Sequence, residues 1–204
     1  MLIHDPGQVL DEHNISIIDD FVSLEECAAI LNELRFTLWG QSSVVKYNGD
    51  EDSPAYYDQM RKSQTAGQIW FSEELNQRLA IIEFKLANTL KNSVDHFEEW
   101  QASQYFEGDQ FDYHVDCGNW GKSLAGERKR TFLLYLDTPA EGGETNFRAF
   151  NKIVKAKAGR LVIWNNLLPS GKCNFGMIHA GLPVAKGIKT ILVSWERERV
   201  YRSV

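Results

Sequence analysis

WQASQYFEGDQFDYHVD, residues 100–116, marks the point where the chain changes character. Upstream, apolar residues recur at helical spacing. From Trp100 onward they fall in short runs rich in aromatic and β-branched residues, broken by turns containing Gly, Asp and Asn. The later runs TFLLYLD, ETNF, RLVIWN, GMIHAG and KTILVSW repeat the pattern. The order of helices first and seven or eight strands after predicts an α+β, mainly β fold. A double-stranded β-helix, or jelly roll, is expected, buttressed by N-terminal helices. We expect a single domain, with helical support over residues 1–97 and a jelly-roll core over about 98–198 of the 204 residues.

Working outward, ISIIDDF (15–21) reads as a strand. Ser23 opens SLEE, a capping box closed by Glu26, ahead of a helix to about Leu38. Leu75, Leu79, Ile82, Leu86 and Leu90 form one apolar stripe and predict a second helix from Glu73 to about Val94. Between them, residues 40–68 read as a long loop with a possible strand at Ser43–Tyr47. Such a loop serves either as a substrate lid or as a disordered connection.

The formal charge of -6, with Lys and Arg dispersed, argues against nucleic acid as a partner. There is no basic-then-apolar leader and no apolar run long enough to span a bilayer, so no membrane association is expected. Cys27, Cys117 and Cys173 are odd in number and not closely paired, which predicts no disulfide framework and a reducing cytoplasm.

His114 and Asp116 are two apart in a strand-like segment and so share a face. Alone this is weak, because a His-x-Asp arises by chance in roughly one such chain in four. His179, flanked by Ala180 and Gly181, supplies a third ligand. Two His and one carboxylate leave three positions of an octahedron open, as in non-haem Fe(II) oxygenases. In KTILVSW, Lys189, Ile191, Val193 and Trp195 share one parity. A lysine on that apolar face needs an anion from elsewhere, such as a bound dicarboxylate, unless it snorkels to solvent. His4, His13 and His96 read as surface residues.

Five segments in order resemble the catalytic domain of prolyl 4-hydroxylases. They are YFEGDQFDYHVD (105–116), RKRTFLLYLD (128–137), GGETNF (142–147), AGRLVIWNN (158–166) and HAGLPVAKGIKTILVSW (179–195). More loosely, FVSLEECAAIL (21–31) and MRKSQTAGQIWF (60–71) are similar to the family's opening helix and Arg-x-Ser strand. The resemblance implies an Fe(II)/2-oxoglutarate-dependent dioxygenase that uses O2, with ascorbate as accessory reductant, and releases succinate and CO2. It assigns the metal to His114, Asp116 and His179, and 2-oxoglutarate to Lys189, Tyr105, Thr145 and Trp195. Arg128 is either a substrate contact or a solvated charge. Phe111 stands where the family often has Tyr, which removes a hydroxyl from near the metal. Asp116 favours hydroxylation, since related halogenases lack the carboxylate. The expected substrate is a prolyl residue of a peptide or protein. The alternatives are a free amino acid or other small molecule, and a non-catalytic metal- or peptide-binding module.

Overall fold

The structure is a computed structural model and describes residues 14–45 and 55–202. The first half contains β1 (Ile15–Ile18), α1 (Leu24–Leu34), β2 (Gly40–Gln41), β3 (Val44–Val45), β4 (Ala55–Tyr56), β5 (Gln64–Gly67) and α2 (Glu73–Leu90). The second half carries β6 (Gln101–Tyr105), β7 (Phe111–His114), β8 (Arg128–Tyr135), β9 (Glu141–Gly142), β10 (Thr145–Phe147) and β11 (Lys152–Val154). It ends with β12 (Leu161–Asn165), β13 (His179–Gly181), β14 (Val184–Lys186) and β15 (Lys189–Arg197). A seven-stranded sheet, β1-β12-β8-β15-β6-β5-β2, faces a four-stranded sheet, β11-β10-β13-β7, as the jelly-roll expectation requires.

The central strands of the larger sheet read as unbroken apolar runs because both of their faces are buried. Phe132, Leu134, Leu161, Ile163 and Leu192 point to the side where α1 and α2 pack with Ile30, Leu75, Leu79 and Leu86. Leu133, Tyr135, Val162, Trp164 and Ile191 point the other way, toward the smaller sheet and Phe147, Val154 and Met177. The period-two alternation therefore sorts one run of residues into two cores. It also turns Lys189, Val193 and Trp195 inward between the sheets.

Ser23 caps α1 by accepting from the Glu26 amide, as the capping box predicts. The helix ends at Leu34, four residues early. There the chain turns back so that the Trp39 indole donates to the Leu34 carbonyl, and the half-buried ring packs against the helical core. Likewise α2 stops at Leu90, where Lys91 takes a left-handed conformation and the Asn92 amide closes onto the Ala87 carbonyl.

The expected loop at 40–68 contributes strands instead. β5 pairs with β6 at the edge of the larger sheet, and β3 pairs with β4. The N-terminal half thus supplies β1, β2 and β5 to that sheet as well as the helices. Residues 46–54, within the suggested lid, lie outside the described residues, as do His4 and His13. His96 is half-buried, with Nδ1 3.3 Å from the Arg197 carbonyl oxygen, rather than a free surface residue.

The cysteine expectation is corrected. Cys117 and Cys173 form a disulfide across 56 residues, their Cα atoms 5.6 Å apart, and Cys27 is free and buried. Among the described residues no helix is long and apolar enough to cross a membrane.

Candidate active site

β7 and β13 are antiparallel, and their register sets His114 directly opposite His179. Cross-strand neighbours in such a pair project to the same face, and the two imidazole centroids are 4.3 Å apart. Asp116 lies two residues beyond the end of β7, in a bend, and not in the strand as expected. Its Oδ1 is 3.7 Å from His114 Nε2 and its Oδ2 3.7 Å from His179 Nε2. One ligand atom from each residue falls within a 4.8 Å cluster.

The tautomers are fixed from behind. His114 Nδ1 lies 2.8 Å from the Asp112 carbonyl oxygen, and His179 Nδ1 lies 2.9 Å from that of Met177. A carbonyl accepts only, so each Nδ1 carries the proton and each Nε2 lone pair is free for a cation. Desolvation, aided by the neighbouring His179, lowers His114 to about 3, so its ring is neutral. Burial alone would raise Asp116, but the two imidazoles and the Thr131 hydroxyl outweigh it and hold the carboxyl below its ordinary range. A neutral His114 ring beside a carboxylate is the protonation state a metal requires of such ligands.

His114, Asp116 and His179 share one cavity of about 360 Å³ with Tyr105, Thr145, Lys189, Trp195 and Arg128. All eight residues expected from sequence are therefore gathered in one place. Lys189 is 1% exposed, and among the described residues no carboxylate comes within ion-pair distance of its ammonium. Burial lowers it to about 8, with Asp137 and Glu144 opposing that shift from a distance. Tyr105, its cross-strand neighbour, places its ring 4.7 Å from Nζ.

Glycines keep the ammonium accessible. A Cβ at Gly181 would stand 3.2 Å from Lys189 Nζ, and one at Gly143 would stand 3.2 Å from Lys189 Cδ, on a backbone already at φ +75°. An unpaired buried cation beside room left open by two glycines fits the far carboxylate of 2-oxoglutarate. Two His and one Asp with free coordinating atoms fit Fe(II).

Trp195 sits at the other end. It is six residues along β15 from Lys189, roughly 20 Å at strand rise, and pairs with Thr131 near Asp116. Its ring carries the Arg128 guanidinium at 3.5 Å, with Trp120 on the guanidinium as well, at 4.4 Å. Arg128 is thus neither solvated nor free. It makes a two-pronged ion pair with Glu98, which also holds Arg197.

Phe111, at the position of the missing hydroxyl, stacks on His114 at 3.7 Å. Thr145 is held by the hydroxyl of buried Tyr135. Sequence reasoning gave no role to Tyr135, Glu98, Trp120 or Arg61. Arg61 lines the cavity with Ser43, Val44 and Met60, and its hydrogen-bond partners among the described residues are neutral, including Ser43 O, Thr65 Oγ1 and Ser103 Oγ. Its one sequence signal was the Arg-x-Ser similarity.

Residues 100–197 match the family model of the 2OG-Fe(II) oxygenase superfamily. The chain is 24% identical over 201 residues to prolyl 4-hydroxylase 13 of Arabidopsis thaliana, covering 90% of this chain and 71% of that protein. It is 31% identical over 186 residues to the prolyl 4-hydroxylase subunit alpha-1 of Gallus gallus, covering 88% of this chain but only 35% of that subunit. In fold it is similar to the viral collagen prolyl hydroxylase of Paramecium Bursaria Chlorella virus-1 solved with 2OG (TM-score 0.66, 24% identity, 93% of this chain and 98% of that one). It is also similar to a Pseudomonas putida prolyl-4-hydroxylase (TM-score 0.62, 19% identity, 91% and 93%). The segment matched by that family model, the relatives and the His-Asp-His donor set agree in supporting a prolyl 4-hydroxylase-like 2-oxoglutarate-dependent oxygenase.

Proposed function

We propose that the protein hydroxylates a prolyl residue of a peptide or protein substrate. His114, Asp116 and His179 would hold Fe(II), which with 2-oxoglutarate and O2 supplies the oxidising chemistry and leaves succinate and CO2. The remaining work belongs to the chain. Lys189, with Tyr105 and Thr145 beside it, would bind the far carboxylate and orient the cosubstrate along the cavity. The apolar walls at Leu133, Trp164, Ile191 and Val193 exclude water and strengthen that ion pair. Nδ1 of each His keeps its proton on a backbone carbonyl, so neither ring exchanges protons with substrate.

The observation that carries this reading is that the triad and the unpaired Lys189 line a single cavity. The prolyl assignment rests on the prolyl 4-hydroxylases among the relatives. It is supported by the aromatic wall of Phe111, Trp120 and Trp195, since aromatic-lined grooves suit Pro-rich chains. One of the similar structures, a prolyl hydroxylase of Trichoplax adhaerens, is described in complex with a peptide fragment.

A second reading, a free amino acid substrate, is favoured by Arg61, a cavity cation with no carboxylate partner among the described residues. Incubating the Fe(II)-loaded enzyme with 2-oxoglutarate, O2 and a proline-rich peptide separates the two. Gain of one oxygen atom on proline, seen by mass spectrometry, supports the first reading. Turnover of free proline alone, with every peptide unchanged, sinks it.

A further inference from the structure

We propose that Asn166 and Thr131 form a hydrogen-bond relay that orients the Asp116 carboxylate for metal binding, which makes both of them positioning residues. The inference rests on His114, Asp116 and His179 being the metal triad.

Asp116 needs such a device because it lies in a bend past the end of β7, where no strand pairing fixes its side chain. Thr131 Oγ1 approaches Asp116 Oδ2 at 2.7 Å, and Asn166 Nδ2 approaches the same hydroxyl at 2.8 Å. Proton counting fixes the direction. An ionised carboxylate only accepts, so the single Thr131 proton must go to Asp116. The Asn166 contact must then be a donation into Thr131, which requires the amide nitrogen to face it.

The cost of that orientation is visible. Asn166 is 1% exposed, and its Oδ1 is buried without a hydrogen-bond partner among the described residues. A buried acceptor left unsatisfied calls for an explanation. Turning the amide around would direct its oxygen at Thr131, capture the hydroxyl proton and strip Asp116 of its donor. The orphan oxygen is what remains when the amide is committed to the relay.

Asn166 is itself well anchored. Its amide donates to the Lys129 carbonyl, and its carbonyl accepts from the Asn174 amide. The sulfur of Cys117, the residue after Asp116, lies 3.1 Å from that same carbonyl oxygen and is bonded to Cys173. The backbone and the carboxylate of Asp116 are therefore tied to one point on β12's end. With one lone pair of Oδ2 engaged by Thr131, Oδ1 would be the freer oxygen to offer a metal. A carboxylate that coordinates through one oxygen keeps a further position open for cosubstrate and oxygen.

The test measures Fe(II) affinity by anaerobic competition against a chromophoric chelator, and the charge-transfer absorption that appears when 2-oxoglutarate is added. Thr131→Val removes the hydroxyl at nearly constant volume. In Asn166→Asp the new carboxylate can only accept, so it competes for the Thr131 proton. Both variants should weaken Fe(II) binding about tenfold or more, in the range known for outer-shell partners of metal ligands. Both should also move the absorption band, and Thr131→Ser should restore both properties. Wild-type affinity and band in Thr131→Val or in Asn166→Asp, whatever the melting temperature, would overturn the relay. His179→Ala separates the two levels of the argument. If it binds Fe(II) as tightly as wild type, the metal is elsewhere and the triad reading falls, taking the relay with it. If it loses the metal while the relay variants keep it, the relay alone is wrong.

Discussion

His114 and His179 face one another across the β7–β13 pair, and each ring is pinned by Nδ1 to the carbonyl two residues before it. Ring orientation is thus built into the backbone of β7 and of the turn that leads into β13 before any metal arrives. Replacing either ring, or Asp116, removes a ligand outright. His114→Gln and Asp116→Ala are expected to lose more activity than the ~10–100-fold that follows loss of a supporting hydrogen bond. Fe(II)-dependent succinate formation measures this, and residual activity within tenfold of wild type would contradict it.

On the proposed reading, buried Lys189 is the anchor for the cosubstrate's far carboxylate. Removing one member of a buried ion pair costs roughly 3–5 kcal/mol, so Lys189→Ala should raise the KM for 2-oxoglutarate about a hundredfold or more. Gly181→Ala, whose Cβ crowds Nζ, should raise KM with little change in kcat. Initial rates at varied 2-oxoglutarate concentration check both.

The same lysine sets a pH dependence. Burial lowers its pKa to about 8 in the free protein, and a bound carboxylate, which favours the ammonium, must raise it again. Affinity for 2-oxoglutarate is therefore flat below about pH 8 and falls by up to about tenfold per unit above it. Titration calorimetry across that window reads the slope, and an affinity that rises on the alkaline side would contradict the sign.

Glu98 lies between Arg128 and Arg197. Burial would raise its carboxyl, but the two guanidinium groups prevail and hold it below the ordinary range. Its contribution to stability is present above the ordinary carboxylate pKa and is lost as pH falls through the lowered folded value. Glu98→Gln should destabilise the protein by roughly 3–5 kcal/mol at neutral pH and flatten its acid limb. Denaturant unfolding at several pH values decides.

How much of this was legible depended on where the signal lay. Lys189 was readable in part: β15 is long and its alternation intact, so parity set it on one face with Ile191, Val193 and Trp195, while its burial, as against snorkelling to solvent, is seen only in the structure. His179 and His114 were readable as residue types, while the register that sets them opposite was not. The Cys117–Cys173 disulfide left no local trace, since its members are 56 residues apart and only the crossing of two loops brings them together. Arg128 looked solvated because its partner Glu98 lies thirty residues earlier, on another element. Thr131 and Asn166 left only a faint signal, as polar residues at the ends of the apolar runs TFLLYLD and RLVIWNN. Polar groups in such positions are satisfied by one another, which a single sequence does not display.

The most direct test of the central claim is succinate production from 2-oxoglutarate by anaerobically Fe(II)-loaded protein exposed to O2 with a proline-rich peptide, comparing wild type with His179→Ala and Lys189→Ala. Turnover in the wild type, abolished in His179→Ala and restored in Lys189→Ala only at high 2-oxoglutarate, is the predicted result. Succinate formed equally by all three proteins would contradict the account, as would a wild type that binds Fe(II) yet consumes no 2-oxoglutarate with any peptide or amino acid.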